Sequence, residues 1–180
     1  LRPCVMFTHQ VMQYAIKSQL SLFDFIDLEG EMIERVQPAI AISHSFCAVA
    51  TTYSLAQNSH LRLDKYVLIT CRDEFLERIE AVAHNFDLSK KIVDRLIIKI
   101  EQDYNLDVRR LNVSEFVKEV KVRKTYILHD QDDRQLPLIQ AVHVHENLSN
   151  SELEIVRETG HFKILQDEGV IIKILNFSES

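Results

Sequence analysis

Apolar positions along this chain fall into two alternating rhythms. Leu22, Phe25, Ile26, Ile33 and Val36 recur at the spacing of one helix face, and Ser21 with Asp24 three residues on resembles a capping box, so a helix is predicted over about 21–36. The apolar run 39–42 that follows, bounded by Pro38 and Ser43, is too short for a helix and reads as a buried strand, with a second helix starting near Ser45. Residues 66–70 and 125–128 are similar runs, and 153–156 is a weaker one. Between them lie helical patterns on Phe75, Ile79, Val82 and Phe86, on Val93, Leu96, Ile97, Ile100 and Tyr104, and briefly on Phe116, Val117 and Val120. A last helix carries Val170, Ile171, Ile174 and Leu175. Strands alternating with helices predict an α/β fold, a mostly parallel sheet with helices on both faces.

Composition narrows this picture. A chain of 180 residues fits a single domain, 1–180, and buries roughly 70% of its unfolded surface. Twenty-seven acidic against 21 basic residues give a net charge of −6, the wrong sign for neutralising phosphates, so nucleic acid is not expected as a partner. No apolar run reaches the ~20 residues a membrane span requires, and no membrane partner is expected. Cys4, Cys47 and Cys71 cannot all pair and match no metal-ligand spacing, which suits a reducing, cytoplasmic setting. With only 3 glycines, turns that need positive φ must use other residues or bear strain.

In open α/β sheets function gathers at the C-terminal ends of strands, and three of these ends are chemically loaded. After 39–42 comes Ser43-His44-Ser45-Phe46-Cys47, a strand-to-helix turn with small residues two positions either side of a serine, similar to the G-x-S-x-G nucleophile elbow. A helix beginning there would aim its dipole and the Phe46 amide at a developing oxyanion; an ordinary helix-capping serine is the plainer alternative. After 125–128 comes the acidic loop His129-Asp130-Gln131-Asp132-Asp133, which could orient a histidine or simply be solvated; a calcium loop would need a ligand alternation and a glycine that are missing. After 153–156 comes Thr159-Gly160-His161. The order Ser, Asp, His on successive strand ends is the triad order of this kind of sheet.

The stretches I-S-H-S-F-C, L-H-D-Q-D-D-R-Q-L-P and T-G-H-F-K-I-L-Q-D resemble I-G-H-S-F-G, I-H-D-x-D-D-x-x-V-P and L-G-H-R-R-I-L-x-D of esterase- and lipase-like α/β hydrolases, over most of 21–177. The resemblance implies Ser45 as nucleophile, Asp133 as acid, with Asp132 as second choice and Asp130 their neighbour, His161 as base, and the Phe46 amide as oxyanion donor. It implies a small-molecule carboxylic ester or thioester as substrate, no metal and no organic cofactor. A helical insert at about 72–120 would help shape the pocket. A non-catalytic relative that binds a ligand or partner through the same cleft, and an inactive remnant, are the rival readings.

Against the family pattern, Ser43 and Cys47 stand where glycines are usual, and 7–13 lacks the Pro and Gly of the corresponding loop. Residues 4–7 resemble the strand that follows the oxyanion loop, so the resemblance leads to the expectation of an N-terminally truncated chain that spans the C-terminal two-thirds of the fold. In the family's order another strand lies between 4–7 and 39–42. The expectation is therefore a sheet ordered 39–42, 66–70, 125–128, 153–156, with the first twenty residues mobile or shifted over the open edge, and with homo-oligomerisation possible through that edge. His44 is expected to be structural, and Cys47 a small buried hydrophobe. His143 and His145, two apart on a helix, would face apart and make a poor metal pair.

Overall fold

The computed structural model describes residues 4–7 and 22–180. Five strands, β1 (Cys4–Phe7), β2 (Ile40–His44), β3 (Leu63–Ile69), β4 (Val122–Asp130) and β5 (Ser151–Val156), form one sheet. All pairs are parallel and the spatial order is the chain order, β1-β2-β3-β4-β5. Helices α1 (Leu22–Val36), α2 (Phe46–Gln57) and α6 (Leu138–Glu146) make crossovers between strands. Between β3 and β4 lie α3 (Phe75–Asn85), α4 (Lys90–Tyr104), a 3-10 turn (Val108–Arg110) and α5 (Val113–Phe116). The short α7 (Gly160–Lys163) and α8 (Glu168–Glu179) follow β5.

The α1 helix falls within a residue of its expected span, although Ser21, its proposed cap, lies outside the described residues. The third segment between β3 and β4 differs: apolar 116–120 suggested a helix there, and the helix forms at Val113–Phe116 instead. Asp73 explains the shift, because it accepts the Ser114 amide at Oδ1 at 2.7 Å and the Val113 amide at its carbonyl at 3.1 Å, fixing the helix start upstream.

Side-chain alternation along the strands divides the core in two. Tyr66, Leu68 and Ile127 point to one face, where they pack with Ile33 of α1, Cys47, Ala48 and Leu55 of α2, and Ala141 and Val144 of α6. A strand order that matches the chain puts successive right-handed crossovers on the same face, which is why these helices share it. Val67, Ile69, Tyr126 and Leu128 point to the other face and meet Ile164, Val170 and Phe177, so that face is covered by α8 and the segment before it. Buried Lys65 on β3 secures the end of α8, donating from Nζ to the carbonyls of Phe177 at 2.8 Å and Ser178 at 2.9 Å.

At the edge, the expected four-strand order gains a fifth strand, and of the two alternatives for the first residues it is the shifted one that 4–7 adopt. β1 lies directly against β2 in the register Cys4↔Ile40, Val5↔Ala41, Met6↔Ile42, Phe7↔Ser43. This is the shifted arrangement: an exposed β2 edge would leave amides and carbonyls unpaired, and the nearest parallel segment satisfies them. Among the described residues β2 is therefore an interior strand, and β1 and β5 are the edges of the sheet. The loop expected over 8–13 and the rest of the first twenty residues other than 4–7 lie outside the described residues.

Scarcity of glycine has the expected consequence. Gln37, Ser45, Thr70, Asp87, Asn105 and Glu158 all adopt positive φ, against Gly160 among the glycines. Where a glycine is kept inside a helix, contact explains it: a Cβ on Gly30 of α1 would come within 2.6 Å of Ser54 Oγ on α2, so the two helices approach closely there.

Candidate active site

Strand β2 ends in His44, and the chain then turns sharply into α2 through Ser45, whose backbone is held at φ 56°, ψ −116°. A non-glycine residue tolerates this region only when its surroundings impose it. Here the Ser45 amide donates to the Ile69 carbonyl at 2.9 Å, tying the turn to the end of β3, and the Ser45 carbonyl accepts from Ala48 at 3.1 Å to start the helix. The turn thus lifts the Ser45 side chain above the sheet edge. Phe46 is the first helical residue, so its N–H points from the helix end with no intrahelical acceptor.

Ser43 and Cys47, where glycines would be usual, are fully buried behind the turn. Both join a polar group organised by Glu29 of α1. Thr51 Oγ1 donates to Glu29 Oε2 at 2.5 Å, which leaves Ser43 Oγ to donate to Thr51 Oγ1 at 2.8 Å. Burial pushes the Glu29 carboxyl up to about 8, against hydrogen bonds from Thr51 and Cys47 that favour its ionised form. Burial first, and then the Glu29 charge, push the Cys47 thiol up, so it is not a thiolate near neutral pH.

The other two strand ends bring their side chains to the same place. His161 Nε2 lies 3.0 Å from Ser45 Oγ, and His161 Nδ1 lies 2.8 Å from Asp133 Oδ2. The Asp133 side chain is completely buried and that of His161 is 6% exposed. Desolvation alone would raise the Asp133 carboxyl, yet hydrogen bonds from His161 and from the amides of Gln135 (2.7 Å) and Leu136 (3.0 Å) hold it below the usual carboxylate range. An ionised carboxylate only accepts, so Nδ1 carries the imidazole proton and Nε2 is left to accept from the serine hydroxyl. Asp132 does not reach the histidine; its amide donates to Asp130 Oδ1 at 2.6 Å.

Asp130, at the end of β4, has a role that sequence reasoning missed. Its Oδ2 accepts from the Thr159 amide at 2.5 Å, the Thr159 hydroxyl at 2.6 Å and the Gly160 amide at 2.7 Å. These bonds clamp the turn that delivers His161. They outweigh desolvation and hold the Asp130 carboxyl below its ordinary value. Gly160, at φ +62° with open space where a Cβ would stand, is required there by backbone conformation alone. His44 supports the same turn from below, its Nε2 lying 2.8 Å from the His161 carbonyl. His143 and His145 part as expected: His143 Nδ1 faces Asp73 at 3.6 Å, whereas His145 Nδ1 lies 2.7 Å from Ser151 Oγ.

Ser45, Phe46 and His161 open into a cavity of 760 Å³, walled by Phe75 and Arg78 of α3 and by the loop that carries Arg134 and Leu136. A concave site of this size, with a few convergent polar groups on a partly apolar lining, suits a small molecule. No described helix is long and apolar enough to cross a membrane.

No protein-family profile matches the sequence, and no curated protein does. Solved structures do. An esterase from Exiguobacterium antarcticum is 13% identical with a TM-score of 0.69, the match covering 100% of this chain and 92% of that one. An α/β hydrolase enzyme from the metagenome of lagoon sediments at Mar Chica, Morocco, is 14% identical with a TM-score of 0.62, covering 97% and 89%. A meta-cleavage product hydrolase from Pseudomonas fluorescens is 16% identical with a TM-score of 0.58, covering 89% and 72%. Identities this low speak to architecture, and the chain has the α/β-hydrolase fold.

Proposed function

We propose that the protein is a serine hydrolase that cleaves a carboxylic ester or thioester, with Ser45 as nucleophile, His161 as general base and then acid, and Asp133 as the carboxylate that holds the imidazole tautomer. One observation carries the reading: an unbroken chain of hydrogen bonds from Ser45 Oγ through both His161 nitrogens to Asp133, built on a serine at positive φ at a helix start. Ser45 Oγ attacks the carbonyl carbon while Nε2 takes the hydroxyl proton. The oxyanion faces the Phe46 amide, and loss of one such donor typically costs about 10²–10³ in rate. The protonated imidazole then gives its proton to the departing alkoxide or thiolate, and water, deprotonated at Nε2, releases the acyl group from Ser45. The segment 72–120 acts as an insert that walls the pocket, contributing Arg72, Phe75 and Arg78. Three cysteines that form no disulfide fit a reducing cytoplasmic setting.

A fluorophosphonate probe tests the assignment. Wild type should be labelled on Ser45, and Ser45→Ala should not react. Label that persists in Ser45→Ala refutes the nucleophile; inertness of wild type toward both the probe and esters points instead to a ligand-binding relative.

A further inference from the structure

The cavity over Ser45 is cationic in a chain whose net charge is −6. Arg72, Arg78 and Arg134 line it against one lining carboxylate, Glu77. These arginines come from different elements: Arg72 follows the end of β3, Arg78 lies on α3, and Arg134 sits in the loop after β4. Only the fold collects them, and it collects them where a substrate would lie.

Arg72 is the informative member, because its side chain is only 18% exposed. A guanidinium withdrawn from water ordinarily takes a carboxylate in a bidentate grip. Here the Glu77 carboxylate stays 3.9 Å from Nη1, beyond hydrogen-bond range, and accepts instead from Gln140 Nε2. Arg72 Nη2 also donates to the Gln135 carbonyl across a long 3.4 Å. Arg78 lines the same cavity wall; burial, and then repulsion from Arg78, pull the Arg72 pKa down, and the Glu77 and Asp133 carboxylates offset this only in part. Like charges held together at a partly desolvated wall cost free energy unless an anion completes the arrangement.

We infer that the site takes an anionic substrate, an ester bearing a carboxylate or phosphate group that Arg72, Arg78 and Arg134 bind while its carbonyl meets Ser45. The ester part of this statement rests on the proposed hydrolase activity; the anion part rests on the arginines alone. The arginines are positioning residues that fix the substrate through its charge, and their contribution belongs in KM more than in kcat.

Calorimetric binding to Ser45→Ala protein, which removes turnover, tests this with two matched pairs of esters. Methyl hydrogen glutarate is compared with dimethyl glutarate, and 2-acetoxyethyl phosphate with 2-acetoxyethanol. At least one anionic ester should bind about tenfold or more tightly than its neutral partner, with affinity falling as salt rises. A gain confined to the first pair identifies a carboxylate, and one confined to the second identifies a phosphate. Adding Arg78→Gln and Arg134→Gln, both at exposed positions that leave the core intact, should shrink the preference severalfold. No preference in either pair overturns the proposal, and so does a preference that survives the two arginine replacements unchanged. A protein that shows the preference but cleaves no ester would defeat the hydrolase reading and leave the anion site standing.

Discussion

Replacing Asp130 by asparagine removes a charge while preserving shape, and so isolates the clamp that holds the His161 turn. Three donors converge on Oδ2 and a fourth, the Asp132 amide, on Oδ1. With the asparagine oxygen in the Oδ2 position, its NH2 faces the Asp132 amide, and one bond becomes a donor–donor contact costing about 1–3 kcal/mol. The other three change from charge-assisted to neutral, at about 1 kcal/mol each if independent. They share one acceptor and are not independent, so the expected loss is about 2–4 kcal/mol in urea unfolding. The Asp130 pKa is depressed in the folded state, so its contribution is complete above the unfolded value near ~3.9 and is lost as pH falls through the folded value; the gap between wild type and variant should close in acid. Probe labelling of Ser45 should slow by about 10²-fold, the scale of an ångström-sized displacement of a catalytic group. Asp132→Asn is the control: its carboxylate has only a 3.4 Å contact with the Glu158 amide, and stability should change by less than about 0.5 kcal/mol. Equal stability and labelling of wild type and Asp130→Asn would refute the clamp.

Two further outcomes follow from the turn and its support. Ser45→Gly should be about 1–2 kcal/mol more stable than Ser45→Ala in denaturant titrations, since glycine relieves the positive φ and alanine retains it; equal stabilities would show that the turn stores no strain. Glu29, with its folded pKa raised to about 8, favours the fold fully below its unfolded pKa near ~4.3 and loses that advantage as pH climbs through 8. Glu29→Gln should therefore gain on wild type between pH 4 and 9 by on the order of a few kcal/mol, and parallel pH profiles of the two proteins would contradict a buried, uncharged Glu29.

Much of the sheet is legible in local pattern, because strands buried on both faces must be apolar throughout, as at Val67, Leu68, Ile127 and Leu128. The encounter of Ser45, Asp133 and His161 is legible for a related reason: parallel strands deliver their C-terminal ends to one edge, so chain order alone brings those loops together. What pattern does not carry is a partner's identity. β1 was assigned a neighbour by resemblance, whereas hydrogen-bond demand along β2 selects the neighbour it has. Glu29 looks like one more charged position on an amphipathic helix, and only the packing of α1 on α2 at Gly30 places it 1% exposed behind the turn. Asp130 was one carboxylate among several in an acidic loop, and its part depends on amides 29 and 30 positions away. Arg72, Arg78 and Arg134 carry no shared spacing from which a cluster could be read.

The second face of the sheet depends on an element that arrives late. Translation delivers α8 after all five strands, so Val67, Ile69, Tyr126 and Leu128 can pair into a sheet while that side is still bare. Until Phe177 and Ser178 arrive, the Lys65 ammonium also lacks the carbonyls that receive it. The nascent protein thus passes through a stage in which one side resembles a finished domain and the other a sticky surface, the kind of intermediate that chaperones and proteases recognise.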